Sequence, residues 1–172
     1  MSSRRKKILR PFSLGHKKIA FLTTERAVGV DTRFSSALLE AALKKKMTAR
    51  KIQVVNEASS GRDAFIELHK KYPDVTAVVS LNDIATLGFI SGANEYGIKI
   101  PKDLSLIALD TPKNHIEMSW PPLTTVNLPA FEMGESASNI LIDQIEQKEN
   151  KQNQVLLAGE LVVRGTTAKV RK

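Results

Sequence analysis

Arg33, Asn82 and Asp110 supply a guanidinium fork, a carboxamide and a carboxylate from three distant points of the sequence. Asn offers one acceptor and two donors, ionised Asp only acceptors, Arg only donors. Together they suit a polyhydroxylated ligand. Asp takes hydroxyl protons, while Arg and Asn engage hydroxyl oxygens. Each has a plainer role as well: Asn82 and Asp83 are good helix N-caps, and Asp110 can simply end a strand. Other chemistries have less behind them. The chain contains no G-x-x-x-x-G-K-[ST] and no G-x-G-x-x-G phosphate cradle. His16, His69 and His115 are far apart and form no metal-ligand spacing, and Cys is absent. Ser35 and Ser119 lack a nucleophile-elbow context. Asp110 and His115 share a loop and could share a proton, but such pairs are more often hydrogen-bond partners than catalytic dyads. The expectation is a non-enzymatic binding protein without cofactor or metal.

The elements that must position these residues alternate along the chain. Ile19–Thr23 reads as a buried strand, followed by a helix from Arg33 to about Lys46, capped by Asp31 or Thr32. Ile52–Asn56 reads as a second strand. The next helix, from Ser59 or Ser60 to Tyr72, buries Ala64, Phe65 and Leu68. Thr76–Leu81 is a continuous apolar strand, Asn82 or Asp83 caps a helix to Tyr96, and Gly97 stands at its C′ position. Leu104–Leu109 ends at Asp110. An irregular stretch, 111–122, leads to the proline-bracketed strand Leu123–Leu128. Pro129 opens a helix to about Gln147, with Phe131, Met133, Ala137, Ile140, Leu141 and Ile145 turned inward. Val155–Leu157 and Leu161–Val163 close the chain as two strands. Alternation of this kind implies an α/β fold with a mostly parallel sheet. Ligands then bind beyond the carboxyl ends of strands, where Arg33, Asn82 and Asp110 stand.

Composition sets the class. The 172 residues are 42% hydrophobic, enough for a packed core. No apolar run approaches the ~20 residues needed to span a bilayer, and the basic N-terminus lacks the apolar segment of a secretory signal. A cytoplasmic protein is expected. The net charge of +8 resides in the ends: Arg4, Arg5, Lys6, Lys7 and Arg10 at one, Arg164, Lys169, Arg171 and Lys172 at the other. The body between them is close to neutral, which argues against a folded nucleic-acid surface and leaves tail contacts with phosphates as an alternative.

Several motifs, taken in order, are specific together: Gly15-His-Lys-Lys-Ile-Ala-Phe, Arg33, Thr76-Ala-Val-Val-Ser-Leu-Asn-Asp-Ile-Ala-Thr-Leu-Gly88, Gly97-Ile-Lys-Ile-Pro-Lys-Asp-Leu-Ser-Leu-Ile-Ala-Leu-Asp110, Pro121-Pro-Leu-Thr-Thr-Val, Glu132-Met-Gly134 and Glu160-Leu-Val-Val-Arg-Gly-Thr-Thr167. From about Leu14 to Thr167 the chain resembles the effector-binding core of the lactose-repressor/galactose-repressor (LacI/GalR) family of transcription regulators. The resemblance implies a periplasmic-binding-protein-like fold of two α/β lobes, with a sugar or purine effector in the cleft. It implies a homodimer and DNA contact through an N-terminal helix-turn-helix. Arg33, Asn82 and Asp110 match the family's effector-contacting positions. The implied organisation is a basic tail (1–13), a C-terminal-lobe sensing domain (14–122), a crossover strand and helix belonging to the other lobe (123–153), closing strands (154–167) and a second basic tail (168–172).

The sequence departs from the family pattern. The helix-turn-helix and most of the first lobe have no counterpart here, so the chain reads as a truncated form. Ser36 replaces a glycine. The aromatic that stacks on a sugar falls at Glu57 or Ala58, and Ala108-Leu109 replaces a glycine-aromatic pair. The same fold also serves sugar-binding components of transport systems, for which a secretory leader would be expected.

Overall fold

A computed structural model describes residues 13–24, 30–109, 111–146 and 154–171, with residues 30–34 described by their backbone alone. The elements in chain order are β1 (Lys18–Thr24), α1 (Val30–Lys44), β2 (Thr48–Val54), α2 (Ala58–Lys71), β3 (Ala77–Ser80), α3 (Asp83–Glu95), β4 (Ser105–Leu109), α4 (Lys113–Met118), β5 (Thr124–Asn127), α5 (Ala130–Ile145) and β6 (Glu160–Val162). They form one six-stranded sheet in the order β2-β1-β3-β4-β5-β6. The first five strands run parallel and β6 pairs antiparallel with β5. The α/β expectation and the mostly parallel sheet hold.

The central strands are apolar on both faces because both faces are covered. Ala20, Leu22, Val78, Leu106 and Ala108 join Phe65, Leu68 and Phe89 of α2 and α3 in one layer. Ile19, Phe21, Ala77, Val79 and Ile107 join Leu38 and Ala42 of α1 in the other. The predicted stripe Ala64, Phe65 and Leu68 is buried. Gly97 takes a φ of +72° just past α3, a conformation open to glycine without penalty.

Some boundaries and two larger readings change. Helix α1 starts at Val30, so Asp31 and Thr32 lie in its first turn and not at its cap. Strand β2 begins at Thr48, four residues early, since an edge strand can alternate with polar residues that a search for apolar runs passes over. The 111–122 stretch contains α4, too short to show a helical period. Val155–Leu157 is not a strand; among the closing residues only Glu160–Val162 pairs. The predicted end of the fifth helix at Gln147 lies outside the described residues, as do the tail residues 1–12 and Lys172. Most consequentially, α5 buries none of its residues. Phe131 and Ile145 are 80% and 71% exposed. Periodicity places residues on a common face but carries no information on whether another element covers it.

The two ends of the described chain meet at the amino-terminal edge of the sheet, where the backbone N–H of Val170 donates to the carbonyl of Leu14. His16 is buried there. Its Nε2–H donates to the Ala168 carbonyl at 3.0 Å, which leaves Nδ1 to accept from the Thr76 hydroxyl at 2.9 Å. Burial holds the imidazole below its ordinary pKa of 6.5, partly opposed by the carbonyl acceptor. The unfolded chain therefore binds this proton more readily. The stability tied to neutral His16 is full above about pH 6.5 and falls as the pH drops below it. Urea midpoints measured between about pH 7.5 and 5.5 should decline on acidification, and His16→Gln should flatten that part of the profile. A variant profile that runs parallel to the parent would show that His16 contributes nothing to it.

Candidate functional site

Strand order reverses beside β1: the chain moves outward from β1 to β2, then returns to place β3 on the other side of β1. In an open parallel sheet this reversal opens a crevice at the carboxyl ends of the two strands. Helix α1, which carries Arg33 in its first turn, follows β1, and Asn82 follows β3. Topology thus brings the segments of Arg33 and Asn82 to the two sides of one crevice. The side chain of Arg33 and the whole of Asp110 lie outside the described residues; Asp110 is next in sequence after the end of β4, the adjacent strand.

Asn82 is the predicted site residue whose surroundings are fully described. It caps α3, with its Oδ1 accepting from the backbone N–H of Ala85 at 2.8 Å. Its amide donates to Asn56 Oδ1 at 3.0 Å, tying the ends of β2 and β3 together across β1. Its backbone carbonyl accepts from the hydroxyls of Ser80 and Thr86. The side chain is thereby locked in orientation, 9% exposed, with one amide N–H left to offer. A rigidly held donor of this kind loses little entropy on binding.

Of the other groups of this rim, the sequence reading weighed only His115, and that as a neighbour of Asp110. His115, in α4, sets its Nδ1 2.7 Å from Asp83 Oδ2, so its partner among the described residues is the residue that opens α3. This contact fastens α4, and so the segment just after Asp110, to the N-terminus of α3. The hydroxyls of Thr23 near the end of β1 and of Thr111 just after β4 are buried and have no partner among the described residues. An unsatisfied buried hydroxyl costs about 1–3 kcal/mol, so both leave hydrogen-bonding capacity at this edge of the sheet. Asn56 became visible only with the strand order, which sequence does not carry. Trp120, beside the prolines that precede β5, is 83% exposed. Among the described residues no three His, Asp or Glu side chains are grouped to hold a metal.

The comparison with known proteins decides the family. A periplasmic binding protein-like domain matches residues 12–167. The chain belongs to that family. Within it, the LacI/GalR resemblance holds. The chain is 33% identical over 165 residues to the HTH-type transcriptional repressor PurR of Vibrio atlanticus, a match that covers 88% of this chain and 46% of the repressor. A LacI family transcriptional regulator from Bifidobacterium animalis superposes with a TM-score of 0.88 at 25% identity, over 98% of this chain and 62% of that one. A LacI family regulator from Enterococcus faecium, solved with bound ribose, gives a TM-score of 0.79 at 26% identity, over 95% of this chain and 61% of that one. The chain spans about half the length of the curated repressor it matches. Among its described residues, no helix of this periplasmic binding protein-like domain is long and apolar enough to cross a membrane.

Proposed function

We propose that this chain is the effector-sensing part of a cytoplasmic LacI/GalR-type transcriptional regulator, non-catalytic, and that it takes a sugar or sugar-like small molecule through Arg33, Asn82 and Asp110. The observation that carries this reading is the reversal of strand order beside β1, with the segments of Arg33 and Asn82 on its two sides. The fixed amide of Asn82, with the hydroxyls of Thr23 and Thr111 that have no partner among the described residues, adds polar capacity suited to a ligand rich in hydroxyls. The ribose held by the Enterococcus faecium regulator supports the same ligand class. In this reading residues 14–122 form one wall of the effector cleft and 123–153 cross toward the other. The working unit is a pair of chains, and DNA is contacted through a separate N-terminal helix-turn-helix. Effector binding then acts by favouring one arrangement of that unit over another.

Isothermal titration of the 172-residue chain against ribose and a panel of monosaccharides tests the site. Arg33→Ala and Asp110→Ala should each weaken the tightest of these ligands by at least about tenfold, the loss expected when one charged hydrogen-bonding partner is removed. Asn82→Ala should weaken binding and also cost about 1 kcal/mol of stability through the lost cap. Affinity unchanged in Asp110→Ala would remove that residue from the site, and no binding of any sugar even when the chain is joined to the first lobe of a longer relative would overturn the ligand class.

A further inference from the structure

We propose that the cavity at the amino-terminal edge of the sheet is an anion site, which takes a phosphate group carried free or on a small ester. The cavity has a volume of about 210 Å³, and His16, Thr76, Lys102, Asp103, Lys169 and Arg171 are in its lining. It lies where three strands begin: His16 precedes β1, Thr76 precedes β3, and residues 101–103 lead into β4. The effector crevice stands at the other ends of those strands, on the order of 15 Å away at ~3.3 Å per residue. The anion site therefore does not depend on Arg33, Asn82 or Asp110.

Charge defines the ligand. Lys102, Lys169 and Arg171 bring three cations to this lining, against the single carboxylate of Asp103. That carboxylate is already engaged, since its Oδ2 accepts from the backbone N–H of Lys99 at 2.9 Å. No ion pair among the described residues includes Lys102, Lys169 or Arg171. Like charges around one concavity repel, and a doubly charged anion between them turns that repulsion into attraction. Phosphate matches the donors: Arg171 offers a planar fork for two oxygens, and the lysines add compact point charges. Volume limits the rest of the ligand. The cavity is smaller than the roughly 300–1,000 Å³ of pockets for drug-sized molecules, so it suits a phosphate bearing few further atoms.

The fold fixes both walls. Residues 168–172 read as a basic tail in the sequence, yet the chain is pinned there. The backbone N–H of Ala168 donates to Ser105 Oγ at 3.0 Å, its carbonyl accepts from His16, and the N–H of Val170 donates to the Leu14 carbonyl. On the Lys102 side, the backbone N–H of Asp103 donates to the Lys99 carbonyl at 2.7 Å. Walls held in this way lose little entropy on binding. His16 is the buried member of the lining. An anion beside it offsets Lys102, Lys169 and Arg171 and favours the imidazolium, so the ring reports occupancy.

Isothermal titration of the 172-residue chain with inorganic phosphate and with glycerol 3-phosphate, at about pH 7.5 where both are largely doubly charged, tests the site. Saturable binding below about 10 mM is expected, and its absence up to that concentration overturns the proposal. Lys102→Gln and Arg171→Gln should each weaken binding about fivefold or more, with the parent melting temperature, because both side chains are exposed. Lys113→Gln removes the same charge from exposed α4 at the opposite edge and should change nothing. Losses in the cavity variants no greater than in Lys113→Gln would reduce the effect to net charge and overturn the site. In proton NMR the His16 ring, identified by its absence in His16→Gln, should titrate at higher pH when phosphate is present. An unmoved His16 titration places the anion elsewhere and also overturns the site. Phosphate binding should be the same in Asp110→Ala; a change there would put the anion in the effector crevice, ending this proposal while leaving the effector reading in place. Tighter binding of glycerol 3-phosphate than of phosphate identifies an ester as the ligand, and the reverse order identifies the free ion.

Discussion

Gly88→Ala should lower the unfolding free energy by about 3 kcal/mol or more, at the severe end of what overpacking does. A Cβ at Gly88 would stand 1.8 Å from the carbonyl oxygen of Ala58, and one at Gly61 would stand 1.9 Å from that of Ala85. Helices α2 and α3 therefore touch backbone to backbone at two reciprocal points. A flexible side chain can swing away from an added methyl, but a helix backbone cannot, so the two helices would have to separate. Separation loosens the edge-on contact of Phe65 with Phe89, whose ring centres are 5.3 Å apart in the core layer. It also shifts the start of α3, which carries Asn82 and the Asp83–His115 contact, so effector binding should weaken in the same variant. Urea denaturation followed by circular dichroism measures the stability change. Gly134→Ala is the control: it meets no neighbour and should gain the roughly 1 kcal/mol of helix propensity that alanine has over glycine. A Gly88→Ala change below about 1 kcal/mol would show that α2 and α3 are not in backbone contact.

The second large effect should come from Thr166→Val. Thr166 is fully buried. Its hydroxyl donates to the Leu106 carbonyl and accepts from the Thr124 backbone N–H, both at 2.8 Å. The pairing of β4 with β5 begins one step further on, at Ile107 and Thr124, so this hydroxyl closes the amino-terminal end of that ladder. Valine has the same shape and neither hydrogen-bonding function. Two buried backbone groups would lose a partner, at about 1–3 kcal/mol each, for a total of about 2–4 kcal/mol. Nearby, Arg164 Nη1 bonds the Leu123 carbonyl and the Thr125 hydroxyl, each at 2.8 Å, so loosening the segment at Thr166 puts a second anchor at risk. Amide hydrogen exchange at Thr124 should accelerate in Thr166→Val, and Thr166→Ser should stay near the parent. Equal stability of the Val and Ser variants would show that the hydroxyl bonds contribute little.

The alternation of strands and helices, the buried Ala64-Phe65-Leu68 stripe, the Asn82 cap and the Gly97 stop were legible in the sequence because each follows from neighbours within a few residues. Apolar period, capping chemistry and positive φ are local properties. The motif run from Leu14 to Thr167 was legible for the same reason: it is order and spacing along one chain. The site was legible in part. Asn82 could be placed at a strand end, but its tie to Asn56 depends on β1 standing between β2 and β3, and the pairing of His115 with Asp83 joins residues 32 apart in sequence.

Tertiary structure alone decided what covers what. Nothing in the spacing of Phe131, Leu141 and Ile145 distinguishes a helix packed on a core from one whose stripe faces water. Nothing in Gly61 and Gly88 marks them as a double backbone contact, and nothing local exposes Trp120. A sequence pattern fixes which side chains share a face of an element. Whether that face is buried depends on a second element brought from far along the chain, or from another molecule, and that is a property of the assembled fold.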